Sequence, residues 1–204
     1  SHIQGTFIRS IKISLNPNKT ISCVGIFIDK DDVGIFFKSI NSELGSIIKE
    51  CNKSLDESFL IENKSEKQSN KIERNHLNSF FDLYKIKKII NRNDGGLIII
   101  TERSYIEENL VTFNGQPSTR NIYHDHDLNI IDINSDGEIE WARNIHKKQS
   151  STEDYGFFNS YFLINTGNNI VLIYNDNIKN TLDVKPKDYK LYSGVFTDGG
   201  VIAA

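Results

Sequence analysis

The chain has 204 residues, with 24 basic and 27 acidic side chains, a formal net charge of −3 and 38% hydrophobic residues. This composition fits a soluble globular domain or a piece of a larger protein. The slight acidic excess argues against a nucleic-acid partner, and no apolar run reaches the roughly 18 residues of a membrane-spanning helix. We therefore expect no nucleic-acid partner and no membrane span.

Strand patterns dominate the first fifty residues. Short runs of β-branched and aromatic residues alternate with turns rich in Asn, Asp, Pro and Gly, such as Asn16-Pro17-Asn18-Lys19. Such runs, with a turn signal every 8–12 residues, predict an all-β fold. The predicted strands cover residues 6–15, 20–28 and 33–40, and a fourth begins at residue 46.

The composition changes over residues 52–75, which are rich in Lys, Glu, Ser and Asn. This segment is predicted to be an insertion loop within a single domain of residues 1–204, or within a fragment of one. A short amphipathic helix over residues 55–62 is the alternative. The chain has no methionine and begins Ser1-His2, which predicts an expressed fragment or a mature domain.

Strand patterns resume after the insertion. Two segments, residues 104–120 and 175–187, are predicted to be long loops. The predicted strands cover residues 83–90, 97–101, 122–133, 138–145, 157–165, 169–174, 189–192 and 201 onward.

The two cysteines, Cys23 and Cys51, leave two alternatives open. They form a disulfide, or both remain free thiols with Cys23 inside a strand. Two cysteines are too few to define a disulfide framework or a zinc site.

A turn-and-strand unit recurs along the chain. Asp94-Gly95-Gly96 precedes an apolar run, and Asp198-Gly199-Gly200 precedes a similar one. Between them, Asp136-Gly137 predicts a hairpin turn before an outer strand, because glycine adopts positive φ without a steric cost. The order of turn, buried strand, loop, buried strand, turn and outer strand matches one antiparallel blade of a β-propeller.

The stretch DGGLIIITE…DLNIIDINSDGEIEWARNI resembles the repeat of bacterial, Bacteroidetes-type β-propeller-like proteins of unknown function. That resemblance implies blades of antiparallel strands and a location in the cell envelope or outside the cell. The repeat spacing is uneven, so a β-sandwich or β-barrel built from the same hairpins is the alternative fold.

Two segments carry residues that suit metal ions. In Tyr123–Asp127, His124 and His126 share one face of a strand and would hold zinc or copper with a third, distant ligand. The alternative is a polar strand end in solvent. Asp132, Asn134 and Asp136 match the first half of a calcium loop, but Arg143 stands where a bidentate acid belongs. A plain hairpin turn is the alternative there.

Four residues are predicted to bind a ligand: Trp141, Tyr155, Asn175 and Asp176. Trp141 offers a stacking surface or covers the core at a blade edge. Tyr155 opens an aromatic group that either packs between blades or forms an exposed binding surface. Asp176 lies in a turn, or acts as a carboxylate that would need a partner such as Glu102 or Asp154.

The sequence contains no nucleophile motif, which favours a non-catalytic interaction or ligand-binding module. Its ligand would be a protein or a glycan, bound by the loops at 104–120 and 175–187, and we expect no cofactor. One alternative is a hydrolase or lyase acting on glycans or peptides, with a channel acid pair or a metal at His124 and His126. The other is a structural repeat of a larger surface protein.

Overall fold

The computed structural model describes residues 6–29, 32–55, 83–167, 169–180, 184, 188–193 and 199–203. These residues form an all-β fold of two four-stranded antiparallel sheets and one three-stranded sheet. The described part of the chain contains no α-helix and no closed propeller or barrel. Within the same residues, no helix is long and apolar enough to cross a membrane.

The first sheet is an antiparallel meander in the order β1-β2-β3-β4. All four predicted strands are confirmed. The described turns after β1 and β3 reverse the chain and are closed by backbone hydrogen bonds from Asn16 to Thr20 and from Gly45 to Asn41. Lys19 has a φ of 62° in the first of these turns. The strands are β1 (Thr6–Leu15), β2 (Thr20–Asp29), β3 (Asp32–Asn41) and β4 (Ile47–Ser54). The last three residues of β4 fall in the predicted insertion loop, and residues 56–75 of that loop lie outside the described residues.

The second sheet has the order β5-β6-β7-β8. The predicted loop over residues 104–120 is wrong, since β6 and β7 continue through it to a two-residue turn at Asn114-Gly115. Both turn residues have positive φ, 50° and 75°, which is the geometry of a tight hairpin. The strands are β5 (Tyr84–Asn91), β6 (Leu97–Phe113), β7 (Gln116–Ile133) and β8 (Ile139–Thr152).

The third sheet has the order β11-β10-β9 and is also antiparallel. Its strands are β9 (Phe162–Asn165), β10 (Ile170–Asn177) and β11 (Gly199–Ala203). The predicted strand at 157–165 begins only at Phe162, and the one at 189–192 reduces to a single bridge between Gln149 and Tyr192. The predicted loop at 175–187 begins later than expected, because β10 runs to Asn177; residues 181–183 and 185–187 are outside the described residues.

The chain divides into two compact units. The first unit comprises residues 1–102 and 128–145, and the second comprises residues 103–127 and 146–204. The strands β6, β7 and β8 contribute residues to both units.

The core of the first unit lies between the inner faces of the first and second sheets. Branched aliphatic side chains fill it, as expected where two sheets pack face to face. Tyr84 and Phe37 are its buried aromatic members. Its aliphatic members are Val24, Ile26, Ile28, Val33, Ile35, Leu55, Ile86, Ile89, Leu97, Ile99, Ile131 and Ile133.

Arg92 joins the turn before β6 to the hairpin between β7 and β8. Its guanidinium contacts Asp94 at 2.5 Å, Asp132 at 2.7 Å and Glu140 at 2.8 Å. The Asn134 side chain accepts hydrogen bonds from the backbone N–H groups of Asp136 and Glu138. The segment that resembles a calcium loop therefore forms a hairpin turn. Asp132, on β7 just before this turn, is paired with the guanidinium of Arg92.

The predicted glycine turns are confirmed at Gly95 and Gly137, where φ is +89° and +84°. Gly199 and Gly200, in contrast, lie within β11. The sequence predicts a turn over Asp198-Gly199-Gly200, and Asp198 lies outside the described residues.

Both cysteines are free thiols. In the strand register Cys23 pairs with Ile13 and Lys38, whereas Cys51 pairs with Phe37. The two side chains therefore lie on opposite faces of the first sheet, which excludes a disulfide between them within this fold.

Candidate functional site: an exposed aromatic loop

The candidate site is the aromatic loop, residues 153–161, which connects β8 to β9 in the second unit. The sequence contains a turn signal here, Asp154-Tyr155-Gly156, followed at once by two phenylalanines. The Asp154 side chain accepts a hydrogen bond from the Gly156 N–H at 3.0 Å, which closes the turn locally.

The backbone of the aromatic loop is strained. Glu153, Tyr155 and Ser160 have φ values of 55°, 58° and 75°, in the left-handed region that non-glycine residues rarely occupy. Each such residue costs roughly 1–3 kcal/mol and persists only where the surrounding structure fixes it, often at a functional site. The loop conformation therefore requires strong anchors.

Hydrogen bonds from β7 and β10 supply those anchors. The backbone N–H of Glu153 donates to the Asn121 carbonyl at 3.1 Å, and the Asn159 amide donates to the Tyr123 carbonyl at 3.0 Å. The Asn175 amide, on β10, donates to the Phe158 carbonyl at 3.2 Å. Both ends and the middle of the loop are thus held by strands.

The aromatic loop is also held by two fully buried polar side chains of β8, Gln149 and Lys147. The Gln149 carbonyl oxygen accepts hydrogen bonds from the Ser160 N–H at 2.7 Å and from the Lys147 ammonium at 2.6 Å. Its amide nitrogen donates to the Asn175 backbone carbonyl at 2.6 Å. Buried polar groups that are fully hydrogen-bonded stabilise one conformation, so this cluster rigidifies the loop.

The side chains that the loop presents to solvent are large and aromatic. Tyr155 is 91% exposed and Phe157 is 80% exposed, and Phe158 is also exposed. The Phe157 and Phe158 rings meet edge to face with centroids 5.2 Å apart. Tyr155 contacts Tyr123 with centroids 6.0 Å apart, and Phe162 extends the exposed group onto β9. Exposed aromatic side chains on an ordered loop are the usual anchors of a binding surface.

Of the four predicted ligand-binding residues, only Tyr155 and Asn175 belong to this loop or contact it. Tyr155 lies in it, and Asn175 anchors it. Asp176, the next residue on β10, is fully buried and accepts hydrogen bonds from the Asn180 amide and the Asn177 N–H. Trp141 is exposed on β8 within the first unit. The binding role of each of the four stays a prediction.

The predicted metal pair, His124 and His126, lies on β7 in a group of rings with Tyr105. Tyr105 stacks on His124 with centroids 4.5 Å apart, and the two imidazoles lie 5.5 Å apart. The His124 ring contacts Glu107 at 3.2 Å. Burial, and then the nearby Arg103, lowers the pKa of His126 to about 4, so its ring is neutral at neutral pH.

Among the described residues, no group of three or more His, Cys, Asp or Glu side chains is arranged to hold a metal ion. The third ligand that the sequence interpretation required is therefore not supplied by these residues. Metal binding at His124 and His126 stays a prediction.

A second polar cluster lies around Asp176. Asp127 contacts Nδ1 of His146 at 2.7 Å, and the His146 ring meets Tyr189 edge-on at 4.6 Å. Burial raises the pKa of Tyr174 to about 12 and raises the pKa of Asp176 above its ordinary value. This cluster joins β7, β8 and β10 to the segment at 188–193 and is mostly interior.

Sequence reasoning missed Gln149 and Lys147, because polar residues inside a strand give no sign of their tertiary partners. It also missed the left-handed residues of the loop. The signal available was Asp154-Tyr155-Gly156 between two strand patterns, which marks a turn where residues 157–161 were predicted to begin a strand.

Comparisons of this chain with models of known protein families, with curated proteins and with solved structures found no match. Functional inference therefore depends on the geometry described above.

Proposed function

We propose that this protein is a non-catalytic binding module that recognises a protein partner through the aromatic loop. The observation that supports this role is the exposure of Tyr155, Phe157 and Phe158 on a loop whose strained backbone is hydrogen-bonded to β7, β8 and β10. A rigid loop loses little conformational entropy on binding, so its aromatic side chains contribute more of their burial energy to affinity.

A protein partner fits the exposed chemistry better than a glycan. Phe157 and Phe158 have no polar group, and their edge-to-face arrangement, with an interplanar angle of 87°, presents no flat pair of rings for a sugar to stack on. Projecting aromatic side chains suit an apolar cleft in another protein, where such residues are common hot spots.

We extend the proposal to the fold and its location. The two four-stranded meanders, packed face to face through the core of the first unit, are consistent with propeller-like blades. The resemblance of the Asp-Gly-Gly repeat leads us to propose a place in the cell envelope or outside the cell, which fractionation of the native cells would test.

The experiment is site-specific photo-crosslinking followed by affinity measurement. A photoreactive phenylalanine analogue is placed at Phe157, or at Phe113, a matched control that is 70% exposed on β6 of the same unit. We expect a discrete crosslinked protein from position 157 only. With that partner purified, Phe157→Ala is expected to weaken binding by more than about tenfold and Phe113→Ala by less than about twofold.

Equal losses for the two alanine variants would contradict the proposal. So would a glycan that binds the purified chain and is lost on Tyr155→Ala, because the partner class would then be different. Circular dichroism of each variant separates a loss of binding from a loss of fold.

A further inference from the structure

The strand β9 forms one edge of the third sheet. It pairs with β10, and among the described residues no strand lies on its other side. In the turn that joins the two strands, the Thr166 N–H donates to the Asn169 carbonyl at 3.0 Å. Because antiparallel hydrogen bonds fall at every second residue, the backbone N–H and C=O groups of Leu163 and Asn165 point away from β10. We call these outward groups the β9 edge.

Most features that keep an edge strand from pairing are missing in β9. Edge strands are normally protected by charged residues, proline, bulges or a short length. The edge strand β1 of the first sheet carries Arg9 and Lys12 and has a register irregularity between Ile8 and Ser10. The sequence of β9, FLIN, has no charge and no proline, and its register with β10 is regular. Only its length of four residues restricts it, so an added strand forms few hydrogen bonds and needs side-chain contacts as well.

Apolar side chains beside the β9 edge supply such contacts. Phe162 is 67% exposed and Ile164 is 40% exposed. Both lie on the same face of β9, because side chains two residues apart in a strand share a face. In the register they pair with Ile173 and Val171 of β10, which are partly buried. A strand added at this edge places every second side chain beside Phe162 and Ile164.

The charge of this region favours a basic partner. Between Lys148 and Lys179 the chain contains no basic residue and three acidic ones, Glu153, Asp154 and Asp176. Asp176 is buried, so Glu153 and Asp154, at the start of the aromatic loop, determine the charge at the surface. Opposite charges on two partners speed their association and select against partners of the wrong charge. A segment that carries lysine is therefore favoured over an acidic one.

We propose that the partner of the aromatic loop binds through an extended segment of alternating apolar and basic residues, which adds to the β9 edge as a further strand. The backbone groups of Leu163 and Asn165 pair with this segment, and its apolar side chains lie beside Phe162 and Ile164. This inference rests on the proposed function, because it names the part of the partner that docks next to the aromatic loop.

The probe is a fluorescent, capped peptide of about eight residues in which valine and lysine alternate, long enough to cover the four residues of β9. We expect fluorescence anisotropy to show binding to the wild-type chain with a dissociation constant on the order of 100 µM, which suits a short strand. A peptide with glutamate in place of lysine has the same backbone, and we expect it to bind more than about fivefold more weakly.

A pair of variants at Asn165 tests the backbone pairing. Asn165→Pro removes an N–H that points away from β10, so the pairing with β10 remains. Asn165→Ala keeps that N–H, and both variants lose the same side-chain hydrogen bond from the Gly167 N–H. We expect Asn165→Pro to weaken peptide binding more than about fivefold and Asn165→Ala less than about twofold. If circular dichroism shows that Asn165→Pro does not fold, Phe162→Lys, which charges the same edge, replaces it with the same expected loss.

Failure of the valine-lysine peptide to bind the wild-type chain would overturn this inference. So would equal binding by Asn165→Pro and Asn165→Ala, or a glutamate peptide that binds as tightly as the lysine peptide. The proposed function is tested separately, by crosslinking at Phe157. A partner captured there whose affinity is the same for Asn165→Pro and Asn165→Ala leaves the aromatic loop as the binding surface and overturns only the role of the β9 edge.

Discussion

Asp176 is a carboxylic acid that the second unit buries completely. Burial raises its pKa above the ordinary value of 3.8, and hydrogen bonds from the Asn180 amide and the Asn177 N–H only partly oppose that change. The folded state therefore keeps the Asp176 proton at pH values where the unfolded chain has lost it. Through this group, stability increases as pH falls through the folded pKa towards 3.8, and decreases as pH rises.

Asp176→Asn tests this pH dependence. The asparagine oxygen can still accept the hydrogen bonds from Asn177 and Asn180, but the side chain no longer titrates. We expect the free energy of unfolding of the wild type, relative to the variant, to increase between pH 7 and pH 4, measured by urea denaturation. A difference that stays constant with pH would contradict the raised pKa. Asp188→Asn, at an exposed carboxyl group, is the control.

Single residues were only partly predictable from the sequence. The sequence analysis predicted Tyr155 and Asn175 as binding residues. In the structure Tyr155 belongs to the aromatic loop, and the Asn175 amide donates a hydrogen bond to the loop at the Phe158 carbonyl. Gln149 was not selected, because its partners Ser160 and Asn175 are 11 and 26 positions away along the chain. Such contacts exist only after β8 and β10 have been positioned.

At the scale of elements, tight turns determine how the strands pair. Gly137 and Gly115 both end hairpins of the second sheet with positive φ, +84° and +75°. They differ in their surroundings. A Cβ atom on Gly137 would lie 2.7 Å from Cβ of Cys51 on β4, whereas one on Gly115 would have no atom within 4 Å.

Alanine at each glycine separates backbone strain from crowding. Gly115→Ala is expected to lower the free energy of unfolding by about 1–2 kcal/mol through left-handed strain alone. Gly137→Ala adds a clash with Cys51 and is expected to cost at least about 1 kcal/mol more. Urea denaturation measures both. Equal losses for the two variants would show that β4 does not pack against this turn.

The sequence predicted strands better than it predicted their ends. Apolar alternation located β2, β3 and β5 closely, because each of them has a buried apolar face. The strands β1 and β4 were also located closely, although none of their described side chains is buried. The distal parts of β6 and β7 carry mostly polar and exposed residues up to Asn114-Gly115, so periodicity gave no signal there. The strand predicted over residues 157–161 was wrong for the opposite reason. Its aromatic residues are typical of a strand, but hydrogen bonds to Asp154 and Gly156 hold them in turns.

At the scale of the whole molecule, β6 shows where the main core lies. Leu97, at its start, is 1% exposed in the core of the first unit, whereas Leu110, near its end, is 87% exposed in the second unit. Leu97→Ala is expected to lower the free energy of unfolding by about 2–5 kcal/mol, through lost burial and the cavity that remains. Leu110→Ala is expected to change it by less than about 0.5 kcal/mol.

Guanidinium denaturation of the two leucine variants, followed by tryptophan fluorescence, measures this difference. Trp141 is the only tryptophan in the chain and lies in the first unit, so its signal reports on the unit that contains Leu97. Similar losses for both variants would contradict the assignment of the core.

The sequence by itself determined the all-β class, the positions of most strands and the turns at Gly95 and Gly137. These features depend on local periodicity and on backbone conformations that few residues adopt. Only the tertiary structure decided that β9 lies at the edge of the third sheet, that Gln149 holds the aromatic loop, and that Asp176 is buried. Each of these depends on which distant strands become neighbours, and an individual side chain carries no record of its partner until the sheets have packed.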